Sequence, residues 1–198
     1  MPRITRDSLM TLEAYAKARQ DFRAKVMAHK KLRAVHLGEH LTLLFEDELT
    51  IRYQIQEILR VEKAFEEQAI QDELAAYNPL VPDGHNWKAT LLVEYEDVEE
   101  RKRALATLKG IEDRVWVQAG SSPRVYAIAD EDLERENAEK TSAVHFVRFE
   151  LTPAMATGLR RGDALAIGVD HPAYTFTLRE VPEATRAALL ADLSSDRK

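Results

Sequence analysis

The heptapeptide Asn78-Pro-Leu-Val-Pro-Asp-Gly84 constrains this 198-residue chain more than any other stretch. Each proline removes a backbone donor and pushes the residue before it out of the helical region, and a glycine closes the segment, so no helix continues through it. The hydrophobic pattern changes across this loop, from mainly helical spacing to mainly strand alternation.

Upstream of the loop, Asp7 or Thr5 can cap a helix over residues 8–18, and Asp21 begins or continues a second to about residue 33. Gly38 marks a turn. The run from His40 to Glu46 then reads as a strand, with Leu41, Leu43 and Phe45 on one face and His40, Thr42 and Glu46 on the other. A helix over residues 51–65 and a short one over 70–77 follow. Downstream, residues 87–95 alternate, with Ala89, Leu91, Val93 and Tyr95 on one face. Asp97 caps a helix over 98–109 that ends at Gly110. A hairpin over 114–119 and 124–129, an acidic helical turn over 130–140 and a strand over 142–151 come next. A helix from Pro153 to residue 162, strands at 164–169 and 174–179, and a last helix over 182–193 complete the order. About six or seven strands without strict strand–helix alternation predict an α+β fold, a mainly antiparallel sheet with flanking helices. The expected organisation is one domain over 1–198, with a helix-rich lobe (1–77) and a sheet-rich lobe (85–193) meeting at the loop 78–84.

Composition narrows the chemistry. The 45% hydrophobic and 31% charged fractions suit a globular protein. With no cysteine, disulfides, thiolate catalysis and cysteine-ligated metal centres are excluded. No apolar run is long enough to span a bilayer, and the first ten residues lack the apolar core of a secretory signal, so the expected compartment is the cytoplasm. The net charge of -6 is unevenly spread: residues 1–36 hold nine Lys/Arg against three acidic residues, which leaves -12 for the rest. Arg19, Arg23, Lys30, Lys31 and Arg33 are therefore candidate partner-binding residues, for an acidic protein or for nucleic acid. The overall acidity disfavours nucleic acid, and the competing reading is a basic helix docked on the protein's own acidic body.

The sharpest anomaly is Glu62. At 100° per residue, Ile51, Ile55, Ile58, Leu59 and Phe65 form an arc about 120° wide, and Glu62 falls near its middle. A buried carboxylate there requires a partner or a raised pKa. The alternatives are a salt bridge to an arginine such as Arg148, or a helix that bends first. Glu57 flanks the arc. His145 lies on the apolar face of strand 142–151, where a buried histidine beside a buried glutamate suits a metal or proton-transfer site, or else hydrogen-bonds to backbone. His171 precedes Pro172 at a turn where Asp170 could orient it, against a plain solvated turn. His36 and His40 would stand about 13 Å apart along a continuous strand, and only a turn at Gly38 could bring them together. Glu62, His145, His40, His171 and Glu57 are thus the candidate ligands for a divalent metal, iron, manganese or zinc. No phosphate-binding glycine loop or hydrolase motif occurs in the chain.

The runs LGEHLTLLFED, YQIQEILRVEK, IQDELAAYNPLVPDG, KGIEDRVWVQAG, EKTSAVHFVRFEL and GVDHPAY resemble an uncharacterised bacterial family catalogued as domain of unknown function 3501. The resemblance spans almost the whole chain and brings no catalytic residues with it. It implies a non-catalytic accessory role in redox or oxidative-stress metabolism, with an iron–sulfur oxidoreductase or a rubrerythrin-like diiron protein as partner.

Overall fold

Strand alternation buries two apolar faces against each other. In the computed structural model, which describes residues 3–129 and 140–194, β1 (Ala34–His36), β2 (Leu41–Glu46), β3 (Asn86–Val93) and β6 (Val144–Glu150) form one four-stranded sheet in the order β1-β2-β3-β6. The second sheet, β5-β4-β7-β8, comprises β4 (Val115–Ala119), β5 (Val125–Tyr126), β7 (Leu165–His171) and β8 (Tyr174–Leu178). Every pairing in both is antiparallel. Leu41, Leu43, Phe45, Leu91 and Phe149 of the first sheet share one core with Val115, Val117, Leu165 and Ile167 of the second. At about 1.5–3 kcal/mol per buried large apolar side chain, this core is the main source of stability. The fold is α+β, with the strands divided between two sheets because β4 pairs with β7 and not with β3.

α1 (Leu12–Lys31) is one helix of 20 residues where two were expected. Thr11 supplies its cap, accepting from the Ala14 N–H, and nothing between Ala18 and Phe22 is a helix breaker, so Asp21 rides inside the helix instead of starting one. α2 (Glu48–Glu62) starts at a reciprocal capping box between Asp47 and Thr50, and α3 (Glu67–Tyr77) packs against it. Ile51, Ile55 and Leu59 of α2 join Ile70 and Leu74 of α3 in a second core that reaches Phe146 on β6.

The stretch before the proline loop contributes β1 and β2 as well as helices, and β2 is zipped to β3 over six residue pairs from Leu41↔Val93 to Glu46↔Lys88. The sheet therefore runs across the expected lobe boundary. The loop itself is anchored, since the Asn78 side chain accepts from the Ile4 N–H and donates to the Ile4 carbonyl. α4 (Val98–Thr107), α5 (Pro153–Arg160) and α6 (Glu183–Leu190) flank the sheets. The expected acidic turn at 130–140 lies, save residue 140, outside the described residues. Among the described residues no helix is long and apolar enough to cross a membrane.

One side chain ties these parts together. Arg33, 1% exposed, follows α1 and precedes β1. Its Nε and Nη2 donate to the carbonyls of Phe45 and Glu46 at 2.9 and 3.0 Å, and its Nη1 donates to Ala188 of α6 at 3.4 Å. Both amino groups also bond the Asp192 carboxylate, and Asp47 lies 3.6 Å away. Burial pushes the Asp192 carboxyl up to about 6 even with Arg33 beside it. Arg33→Ala leaves two buried carboxylates without their cation and should lower the unfolding free energy by about 3–5 kcal/mol, read from urea midpoints. The double variant Arg33→Met/Asp192→Leu should recover much of that loss, because it removes Asp192 along with the arginine and leaves Asp47 its His29 partner.

Candidate functional site

The candidate metal ligands lie apart, each in its own surroundings. Glu62 is exposed, a correction to its expected burial. α2 stops there in a Schellman turn: the Ala64 N–H reaches the Leu59 carbonyl at 2.9 Å, the Lys63 N–H reaches Arg60, and Lys63 takes the left-handed conformation at φ 53°. The arc never extends to Phe65, which stands 75% exposed. Glu57 is bound between helices. It accepts from Arg19 Nε and Nη2 at 2.7 and 2.8 Å, from the Tyr15 hydroxyl at 2.6 Å and from Arg60 at 3.4 Å. Chiefly through Arg19, these bonds hold its carboxyl down to about 2.

His145 is buried on β6 as expected, and the glutamate beside it is Glu112, from the turn Ile111–Arg114, at 3.8 Å. Its Nε2 lies 3.1 Å from the Ser142 carbonyl and 3.0 Å from the Thr141 hydroxyl, the backbone-bonded arrangement weighed from sequence. His171 is buried rather than solvated, and both ring nitrogens are used: Nε2–H donates to Lys109 O at 3.0 Å and Nδ1 accepts from the Ala173 N–H at 3.1 Å. Asp170 does not orient it. Consecutive strand residues face opposite ways, so Asp170 instead accepts from Tyr126 at 2.6 Å and Arg124 at 3.4 Å on the other face of β7.

Three basic residues of α1 reach across to α2, although Arg23 itself stays exposed. Arg19 holds Glu57, Arg23 donates to the Tyr53 hydroxyl at 3.1 Å, and Lys30 sits 5.8 Å above the Tyr53 ring. Lys31 is exposed. Arg33 is no surface residue, since the turn into β1 carries it under α6.

His40 belongs to a different constellation. Gly38, at φ +80°, reverses the chain between β1 and β2, and a Cβ there would collide with the Tyr174 hydroxyl. That hydroxyl donates to Leu37 O at 2.7 Å and accepts from the His40 N–H at 3.3 Å, clamping the turn onto β8. His36 and Thr42 become a cross-strand pair, and His40, two residues before Thr42, shares their face. The His40 ring stacks on Tyr95 at 3.9 Å with a 13° tilt. Burial, then Tyr174 and Glu100 nearby, raises the Tyr95 hydroxyl above its ordinary pKa.

Hydrogen-bond direction in this cluster is fixed by its acceptors. The Glu94 carboxylate can only accept, so the Thr42 hydroxyl donates to it at 2.6 Å and the Thr42 oxygen receives His36 Nδ1–H at 3.0 Å. His40 Nδ1 lies 3.0 Å from the Glu94 carbonyl, which also only accepts, so Nδ1 carries that proton as well. Neutral His36 and neutral His40 are therefore held in the same tautomer, each with the Nε2 lone pair uncommitted among the described residues. Both line a groove of about 850 Å³ whose rim includes Glu39, Glu96, Glu100 and Arg101. Glu46, at the far end of β2, instead accepts from Thr90 at 2.6 Å. Among the described residues no three His, Asp or Glu side chains already converge at metal-ligand spacing. Sequence reading had His36 and His40 but not their organiser, Glu94, whose place depends on β2–β3 pairing across about fifty residues.

The chain belongs to the family described as "Protein of unknown function (DUF3501)", whose model matches residues 3–193. It is similar to a crystal structure of a protein of unknown function from Burkholderia pseudomallei, at 58% identity and a TM-score of 0.93, covering 98% of this chain and 100% of that one. No curated protein matches it.

The Glu57 network carries a pH signature. Its folded carboxyl titrates near 2 instead of 4.5, so its stabilisation is complete above the unfolded value and disappears as pH falls toward about 2. Glu57→Gln should cost about 2 kcal/mol at neutral pH, and the gap to the native protein should close over that acid range in urea melts.

Proposed function

We propose that this protein is a non-catalytic accessory protein of redox metabolism, and that it meets a positively charged partner surface at the His36–His40 groove. The observation that carries the reading is the ordered chain His36–Thr42–Glu94 beside the stacked His40–Tyr95 pair, a preorganised recognition surface on a rigid sheet end. The exposed glutamates at its rim, with the acidic balance beyond residue 36, supply complementarity to a basic partner and steer the encounter. The partner class, an iron–sulfur oxidoreductase or a rubrerythrin-like protein, rests on the family resemblance.

The direct test is calorimetry of the native chain with the purified partner candidates in low salt and chelator. Binding is expected with a Kd of about 1–10 μM, weakening as salt rises. The double variant Glu39→Lys/Glu96→Lys, at two exposed positions, should weaken it at least about tenfold while leaving the melting curve unchanged. An absence of any complex at about 100 μM protein, or unaltered affinity in the charge-reversed variant, overturns the reading.

A further inference from the structure

The groove holds a feature that partner docking does not require. Two imidazoles lining one groove keep their Nδ1–H groups engaged with oxygen acceptors and, among the described residues, present their Nε2 lone pairs unbonded. Metal-ligating histidines have this pattern: one ring nitrogen donates to a carbonyl, hydroxyl or carboxylate, which fixes the tautomer and raises the basicity of the other. His145 and His171, by contrast, have Nε2 turned to backbone carbonyls at 3.1 and 3.0 Å.

We propose that His36 and His40, through their Nε2 atoms, bind one first-row divalent metal ion at the mouth of this groove, with a rim carboxylate, Glu39 or Glu96, completing the set. The inference rests on the groove being the protein's binding site. Register supports it. His36 pairs with Thr42, and His40 is the diagonal neighbour, joined to the same ladder through the Glu94 N–H bond to His40 O at 2.8 Å. Diagonal positions lie about 7–8 Å apart at Cα, a span that two imidazoles reaching toward one ion can close. Zinc bonds imidazole nitrogen at about 2.0–2.1 Å, and nitrogen with carboxylate oxygen is the donor set that zinc, iron or nickel prefers to calcium.

The carboxylates are exposed and on flexible stems, so they join by rotamer change once the ion is seated. Glu94 is not assigned as a ligand. Its carboxylate holds Thr42 and its carbonyl holds His40, so it positions both rings. The site is open to solvent, its ion has coordination positions left for water or a partner's group, and moderate affinity follows from so few protein ligands.

The test uses metal ions alone. Chelator-treated protein is titrated with Co²⁺, followed by its visible absorption, and with Zn²⁺ by calorimetry, while long-range ¹H–¹⁵N spectra report each imidazole nitrogen. Expected are one ion per chain, Nδ1–H tautomers for both rings before addition, and a metal-induced shift confined to His36 and His40 Nε2. His36→Ala and His40→Ala should each weaken binding at least tenfold, Glu94→Gln should release the His36 tautomer while sparing that of His40, and His171→Ala should leave binding unchanged. Absence of binding by the native protein at millimolar metal, binding that survives in the His36→Ala/His40→Ala double variant, or Nε2–H tautomers in the free protein would each overturn the assignment. Because partner binding is measured in chelator and metal binding without a partner, each reading can fail alone.

Discussion

Arg33 is the interaction on which the arrangement depends. A guanidinium buried to 1% exposure has five N–H donors to satisfy, and it satisfies them across chain segments more than 150 residues apart in sequence. By bonding β2 carbonyls on one side and Asp192 on the other, it fixes where α1 ends, where β1 begins and how α6 lies against both. The environment divides its two acidic neighbours. Asp47 is also opposed by burial, but Arg33, the Thr50 N–H and His29 outweigh that and hold it below its ordinary value, whereas burial dominates at Asp192. Arg33 is therefore a stabiliser conditional on its partners, because its isolated burial would cost far more than any single bond returns.

The groove inherits its geometry from that frame. β1 is only three residues long and sits at the edge of its sheet. Short edge strands are the easiest part of a sheet to fray, and here the strand is held at both ends. Arg33 anchors its start, and the Tyr174 hydroxyl grips Leu37 and His40 just past its end. A glycine at position 38 is demanded twice over, by its left-handed φ and by the approach of Tyr174. His36 and His40 are thus presented by a turn that has little freedom to move.

Local signals in the sequence identified most of the elements. Asp97 stands at an observed cap, Gly38 and Gly110 at observed left-handed turns, and the alternation of residues 41–45 faces the shared core. The failures have physical causes. The apolar arc predicts Glu62 inside the core, but the helix ends on Lys63 in a left-handed conformation that usually calls for glycine or asparagine, and so stops short of Phe65. Asp21 looks like a cap and predicts a break in α1, but it is a tolerated interior residue of one continuous helix. Asp170 and His171 looked like a working pair until the strand was seen to run through both, which sends them to opposite faces. The division into two sheets was out of reach, since strand partnering between distant segments leaves no local trace.

The organisation of the groove turns on a single residue that no motif would flag. Glu94 acts through both its ends: the carboxylate orders Thr42 and thereby His36, while the carbonyl orders His40. Hydrogen bonds between neutral groups can usually reverse, hydroxyl to imidazole or imidazole to hydroxyl, and the ring tautomer then fluctuates. A carboxylate at the end of the chain removes that symmetry, because it has nothing to donate, and the backbone carbonyl removes it for the second ring in the same way. One acidic residue at the end of β3 thus gives two histidines on a neighbouring hairpin the same polarity, Nδ1–H toward the protein and the lone pair away from it. Two unlinked surface histidines would adopt that common polarity only part of the time. Its imposition by the fold distinguishes this groove from an ordinary patch of charged surface.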